Sequence, residues 1–125
     1  MANEILADKI SVLSSKMIFR RAKDIVDVYA LAHCVEVHTE GIYDVYRKNP
    51  ARVLGTFDEL YKRRQDVEHA YEKLRGIEGK PDFINVYSYL SELVRPFAEC
   101  DKVPKIWNSG NMLWESDMKY GSRFF

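Results

Sequence analysis

Lys9 and Asp24 are charged residues at positions where two helical patterns call for apolar ones. With about 100° per residue and Leu6 as origin, Ile10, Leu13, Ile5 and Val12 spread over one wide arc. Lys9 falls inside that arc at about 300°, with Lys16 beside it at about 280°. In the next stretch, taken from Asp24, the residues Leu31, Val35 and Val28 lie within about 40°, so Asp24 sits in the apolar stripe. Asp27 flanks it at about 300°, near Arg20 at about 320°. An unpaired charge in apolar surroundings is costly, so such groups are paired or used. One reading is structural: a Lys9–Asp24 bridge, or an i,i+4 Arg20–Asp24 pair. The wide arc also tolerates a snorkelling lysine. The other reading is one wall of a polar cleft. There Lys9, with Lys16, Arg20, Arg21 and Lys23, faces polyanionic phosphates, and Asp24 organises a metal or a hydroxyl.

The elements that must position these groups are helical. The first apolar pattern runs from Ala2 to about Ser15 and the second from Arg20 to about Val35, joined by a short turn around Lys16 to Phe19. So short a link makes an antiparallel hairpin. Thr39 and Glu40 open a third helix that Pro50 ends. Thr56-Phe57-Asp58-Glu59 reads as a capping box. The stripe from Phe57 to Leu74 then runs to Gly76 as one long helix, or as two short ones split where Arg64 interrupts it. Asp82 caps a last helix whose buried side runs from Phe83 to Phe97 and which Pro96 bends or ends. Residues 100–125 lack periodicity, yet Trp107, Met112, Leu113 and Trp114 are too apolar for a free tail. They are expected to pack across the helices, with only the last few residues loose.

The expectation is therefore all-α: a bundle of about five helices over residues 1–99 with an irregular apolar segment at 100–125, forming one domain over residues 1–125. The 125-residue length fits one domain. Lys+Arg and Asp+Glu are 19 each, and a neutral chain is a poor direct ligand for nucleic acid. No apolar run reaches the ~20 residues that span a bilayer, and Met-Ala-Asn-Glu lacks the features of a signal peptide. Cys34 and Cys100 read as free thiols in a reducing compartment, by default the cytoplasm. His33, Cys34, Glu36 and His38 suit no common zinc spacing, because on a helix the two histidines diverge by about 140°. No metal site is expected. Lys62-Arg63-Arg64 reads as a solvated cluster, and the eight tyrosines read as core or interface packing rather than base stacking.

Two stretches carry a resemblance. Glu4-Ile5-Leu6-Ala7-Asp8-Lys9-Ile10, followed by Phe19-Arg20-Arg21-Ala22-Lys23-Asp24-Ile25-Val26-Asp27-Val28-Tyr29, resembles the paired helices of the AbiEii/AbiGii nucleotidyltransferase toxin family. Asp66 to Leu74 and Lys80-Pro81-Asp82-Phe83 are similar to that family's helical C-terminal region, so the resemblance spans roughly residues 3–99. It implies a toxin of abortive-infection or two-gene toxin–antitoxin systems that uses Mg²⁺ and a nucleoside triphosphate. It implies catalytic roles for Lys9, Asp24 and Asp27, with Lys9, Arg20, Arg21 and Lys23 at the nucleotide phosphates. Lys9 matches the lysine that contacts the triphosphate. Asp24 matches the acidic residue that serves as general base or metal organiser. Phosphoryl transfer needs both kinds of group.

The family's Gly-Ser turn followed by Asp-x-Asp is missing. The chain has no Asp-x-Asp, and its one Gly-Ser, Gly121-Ser122, stands three residues from the end. The resemblance thus implies the helical half, supplying the phosphate-side wall of a nucleotide cleft, without the metal-binding half. Alone it is expected to transfer nothing and to bind no cofactor. Its expected partners are a catalytic lobe, an antitoxin or a second copy. The competing expectation is a helical interaction module that docks on such a partner.

Overall fold

The computed structural model describes residues 2–117. Seven α-helices occur in it: α1 (Ala2–Leu13), α2 (Lys23–Cys34), α3 (Thr39–Lys48), α4 (Asp58–Lys62), α5 (Arg64–Glu72), α6 (Phe83–Leu93) and α7 (Arg95–Ala98). A 3₁₀ turn, Lys16–Phe19, joins α1 to α2. Two strands follow, β1 (Lys105–Asn108) and β2 (Leu113–Ser116), paired antiparallel. The all-α expectation is therefore corrected: the fold is helix-dominated and carries a β-hairpin. Four-residue strands are too short to display a period of two, which is why the pattern hid them.

The hairpin brings Trp107 opposite Trp114. Their ring centroids lie 5.2 Å apart, within the range that stabilises aromatic pairs. Trp107 is buried in the core cluster, and its indole N–H donates to the Tyr89 hydroxyl at 2.8 Å. The Trp114 indole N–H donates to the carbonyls of Glu92 and Leu93, the latter the last residue of α6. The segment after residue 99 thus packs on α6 as its apolar content requires. The expected looseness of the last residues, and Gly121-Ser122, lie outside the described residues.

Of the two alternatives for the stripe from Phe57 to Leu74, two short helices are found. α4 ends at Lys62, and Arg63, with φ −117° and ψ 46°, breaks the path before α5 begins. The capping box does not form as such: Thr56 Oγ1 accepts from Asp58 N at 3.2 Å, while Phe57 itself precedes the helix with φ 64°. Phe57 is wholly buried in that left-handed conformation. It is held there by a clamp around Ser14. Ser14 Oγ accepts from Gly55 N at 2.8 Å, and the Ser14 carbonyl accepts from Phe57 N at 3.0 Å. A Cβ on Gly55 would stand 2.3 Å from that carbonyl oxygen, so only glycine allows this approach. The clamp fixes the end of α1 against the chain entering α4, and with it the 3₁₀ turn that leads into α2.

Leu6, Ile10 and Leu13 of α1 meet Ile25 and Val28 of α2 in one core with Ile42, Leu60, Tyr71, Leu90 and Phe97. No described helix is long and apolar enough to cross a membrane.

Candidate functional site

α1 delivers Lys9 and the first turns of α2 deliver Asp24 and Asp27. Carboxylates near a helix N-terminus are favoured by its dipole. The Lys9 ammonium donates to Asp24 Oδ1 at 2.9 Å and to Asp27 Oδ2 at 3.0 Å. The Asp24 side chain keeps only 7% of its exposure, against 20% for Lys9 and 28% for Asp27. The two charges read from the helical period as displaced are thus brought together across the hairpin. Burial lowers the Lys9 ammonium's proton affinity, but its hydrogen bonds to both carboxylates outweigh this and raise its pKa.

The network extends outward. Arg21 Nη2 lies 2.9 Å from Asp24 Oδ2 and 3.5 Å from Asp8 Oδ2. Lys23 reaches Asp27 only at 3.9 Å. Asp24 Oδ2 is buried without an aligned hydrogen bond: Arg21 pairs with it by charge, off the line a hydrogen bond requires. The anticipated i,i+4 Arg20–Asp24 pair does not form. Arg20 caps the 3₁₀ turn outside α2, and Arg21 takes its place at i,i+3. Lys16 is exposed in the same turn.

Lys9 and Asp27 form the polar end of an open groove of about 330 Å³ whose other lining is Ala30, Leu31 and Cys34. An ammonium has three donors, and two are used here, so one N–H of Lys9 has no protein partner among the described residues. Both carboxylates are paired with cations of the chain itself, Asp24 with Lys9 and Arg21 and Asp27 with Lys9. Among the described residues no three of His, Cys, Asp and Glu stand together as a metal site. Three acid pairs with one residue between them, Asp66/Glu68 on α5, Glu99/Asp101 after α7 and Glu115/Asp117 at the end of β2, are absent from the lining of the Lys9 groove.

The other phosphate-binding candidates point elsewhere. Arg20, Arg21 and Lys23 line a second cavity of about 440 Å³ that the 3₁₀ turn forms against α5, and Lys9 is not part of it. Arg63, read from the sequence as part of a solvated cluster, lines it too, as do His69 and Lys73, which the sequence pattern had not singled out. A signal existed: His69 and Lys73 recur at i,i+4, a turn beyond Asp66, on one side of the α5 pattern.

The histidines of the weighed metal cluster have separate partners. The His33 ring stacks on Tyr89 with centroids 4.4 Å apart. His38 Nδ1 pairs with buried Asp117 at 2.5 Å and its Nε2 with Glu36 at 3.2 Å.

No protein-family model, curated protein or solved structure matches the chain.

Proposed function

We propose that the chain is the helical half of an AbiEii-like nucleotidyltransferase toxin, with its α1–α2 face supplying the phosphate-side wall of a nucleotide cleft. The observation that carries this reading is Lys9, held by two carboxylates at the mouth of an open groove with one donor to spare. Asp24 and Asp27 act as positioning groups. They fix the ammonium and keep it charged, as its raised pKa requires. The metal and the reacting oxygens belong to a second lobe, so transfer needs that partner and does not occur on this chain alone. The free thiols Cys34 and Cys100 fit a reducing compartment such as the cytoplasm.

Calorimetric titration with magnesium–ATP tests the reading. Wild type is expected to bind weakly, with Kd on the order of 1 mM, as for about 4 kcal/mol of interaction. Lys9→Ala should remove the part of the binding that this groove supplies. Unchanged binding in that variant removes the assignment.

A second reading, a docking module for a catalytic lobe, an antitoxin or a second copy, is favoured by one observation. Ile5, four residues before Lys9 on α1, is 45% exposed, and Met17 in the following turn is 40% exposed. Light scattering separates the two. A stable dimer that loses association in Ile5→Glu supports docking, and a monomer that binds nucleotide supports the cleft.

A further inference from the structure

The cavity between the 3₁₀ turn, the start of α2 and α5 concentrates charge in a chain whose formal charge is zero. Five cations, Arg20, Arg21, Lys23, Arg63 and Lys73, surround it, with Asp66 as its one carboxylate. Two stretches distant in sequence contribute, residues 19–23 and 63–74, so the fold adds Arg63 and Lys73 to the local run of Arg20, Arg21 and Lys23. Part of this charge is spent. Arg21 is shared between Asp24 and Asp8, and Arg63 donates to Asp66 at 2.9 Å while its guanidinium covers the Phe19 ring at 4.6 Å. Lys23 has one long contact with Asp27 at 3.9 Å. Arg20 and Lys73 differ: neither charge is matched by an ion-pair partner among the described residues. Cations crowded in this way repel one another and raise the local concentration of anions.

We propose that this cavity is a second anion site, separate from the Lys9 groove, that takes the polyphosphate group of a small molecule. The floor between the cations is Phe19, Ala70 and Leu74, which gives the ligand's non-phosphate part an apolar bed. A volume of about 440 Å³ suits a small molecule, and the chain's zero formal charge disfavours a nucleic-acid backbone as the ligand. Arg20 and Lys73 grip different phosphates of one chain of phosphates, and Lys23 and His69 stand at the rim. Arg20, Arg21 and Lys23, which the resemblance put with Lys9 at the nucleotide phosphates, line this cavity, whereas Lys9 does not, so variants at Lys9 and at Lys73 separate the two sites.

The test is calorimetric titration of the whole chain with inorganic tripolyphosphate at low ionic strength, in wild type, Arg20→Gln, Lys73→Gln and Lys9→Met. Both cavity residues are exposed, so their substitution leaves the fold intact, as far-UV circular dichroism will verify. Each is expected to weaken binding about tenfold, the loss of one charge-assisted hydrogen bond. Lys9→Met, which removes the cation of the other groove, should take away only that groove's weak contribution and leave in place the binding event that Arg20→Gln and Lys73→Gln weaken. Raising salt from ~0.05 to ~0.2 M should weaken all of them. The proposal is overturned if wild type shows no saturable binding, or if Arg20→Gln and Lys73→Gln bind unchanged. It is equally overturned if Lys9→Met alone loses binding, or if a phosphodiester single strand without terminal phosphates saturates the site while tripolyphosphate does not.

Discussion

Replacing Lys9 by Met keeps the aliphatic stem and removes the charge that Asp24 and Asp27 share. Two charge-assisted hydrogen bonds vanish, at 2.9 and 3.0 Å, each worth about 1.5–3 kcal/mol net when well formed. Asp24 stays more than nine-tenths buried, with Arg21 as its remaining cation and Asp27 as an unscreened like charge nearby. Asp27 relaxes toward water because it is partly exposed, and Lys9 itself is one-fifth exposed. The full cost of breaking a buried pair, about 3–5 kcal/mol, is therefore discounted to about 2–3 kcal/mol. With a urea m-value of roughly 1.5 kcal/mol per molar, the unfolding midpoint falls by about 1.3–2 M. Lys9→Met/Asp24→Asn should recover part of that loss, giving a coupling of about 1.5–3 kcal/mol in the double-mutant cycle. The sign with pH is fixed as well. The Lys9 pKa is raised on folding, so its contribution is complete at neutral pH and is lost as pH rises through the folded value, above about 10.4. A midpoint change under ~0.3 M in Lys9→Met, together with a coupling near zero, would refute the reasoning, since the bridge would then carry no load.

Further consequences are open to measurement. Gly55→Ala forces a methyl group against the Ser14 carbonyl and should cost at least about 3 kcal/mol in urea unfolding, whereas Gly79→Ala, with nothing within 4 Å, costs only the strain of its positive φ. Burial pushes the Tyr43 and Tyr61 phenols up to about 12, and Tyr46 higher still. Their hydroxyls donate to the carbonyls of Asp101, Ser91 and Ala7. Because these pKa values rise on folding, the neutral phenols stabilise the fold below pH ~10, and stability must fall as pH climbs from there toward 12. Urea midpoints between pH 8 and 11 will show the decline, and Tyr46→Phe should flatten it while costing about 1 kcal/mol at neutral pH. Trp107→Phe removes the indole donor to Tyr89 and part of the aromatic stack, and should lower stability by about 1–3 kcal/mol with loss of near-ultraviolet dichroism from the hairpin.

How much of this was readable from the sequence depends on the range of the interaction. The Lys9–Asp24 pairing was legible because helical angle alone displaces both charges toward the shared face of a hairpin whose link is short. Asp27 was read as a flank, and its bond to Lys9 follows from the same geometry carried one turn further. Arg20 was misplaced because α2 begins at Lys23, three residues after the apolar period starts, and the 3₁₀ turn rotates Arg20 out of register. The hairpin of Lys105–Asn108 and Leu113–Ser116 was illegible, since eight paired residues give no alternation to count and Trp107 finds its place only against Tyr89. The basic cavity was half visible. Its Arg20–Lys23 side is a local cluster, but Arg63 and Lys73 join it through packing of the 3₁₀ turn on α5, about which the pattern says nothing.

The most direct measurement follows backbone amide shifts of the ¹⁵N-labelled chain during titration with magnesium–ATP. If the α1–α2 face is a nucleotide wall, the shifts of Lys9, Asp27, Ala30, Leu31 and Cys34 move together and saturate, and Lys9→Met erases the pattern. Shifts that leave those five residues still while others move, or that persist in Lys9→Met, would contradict it.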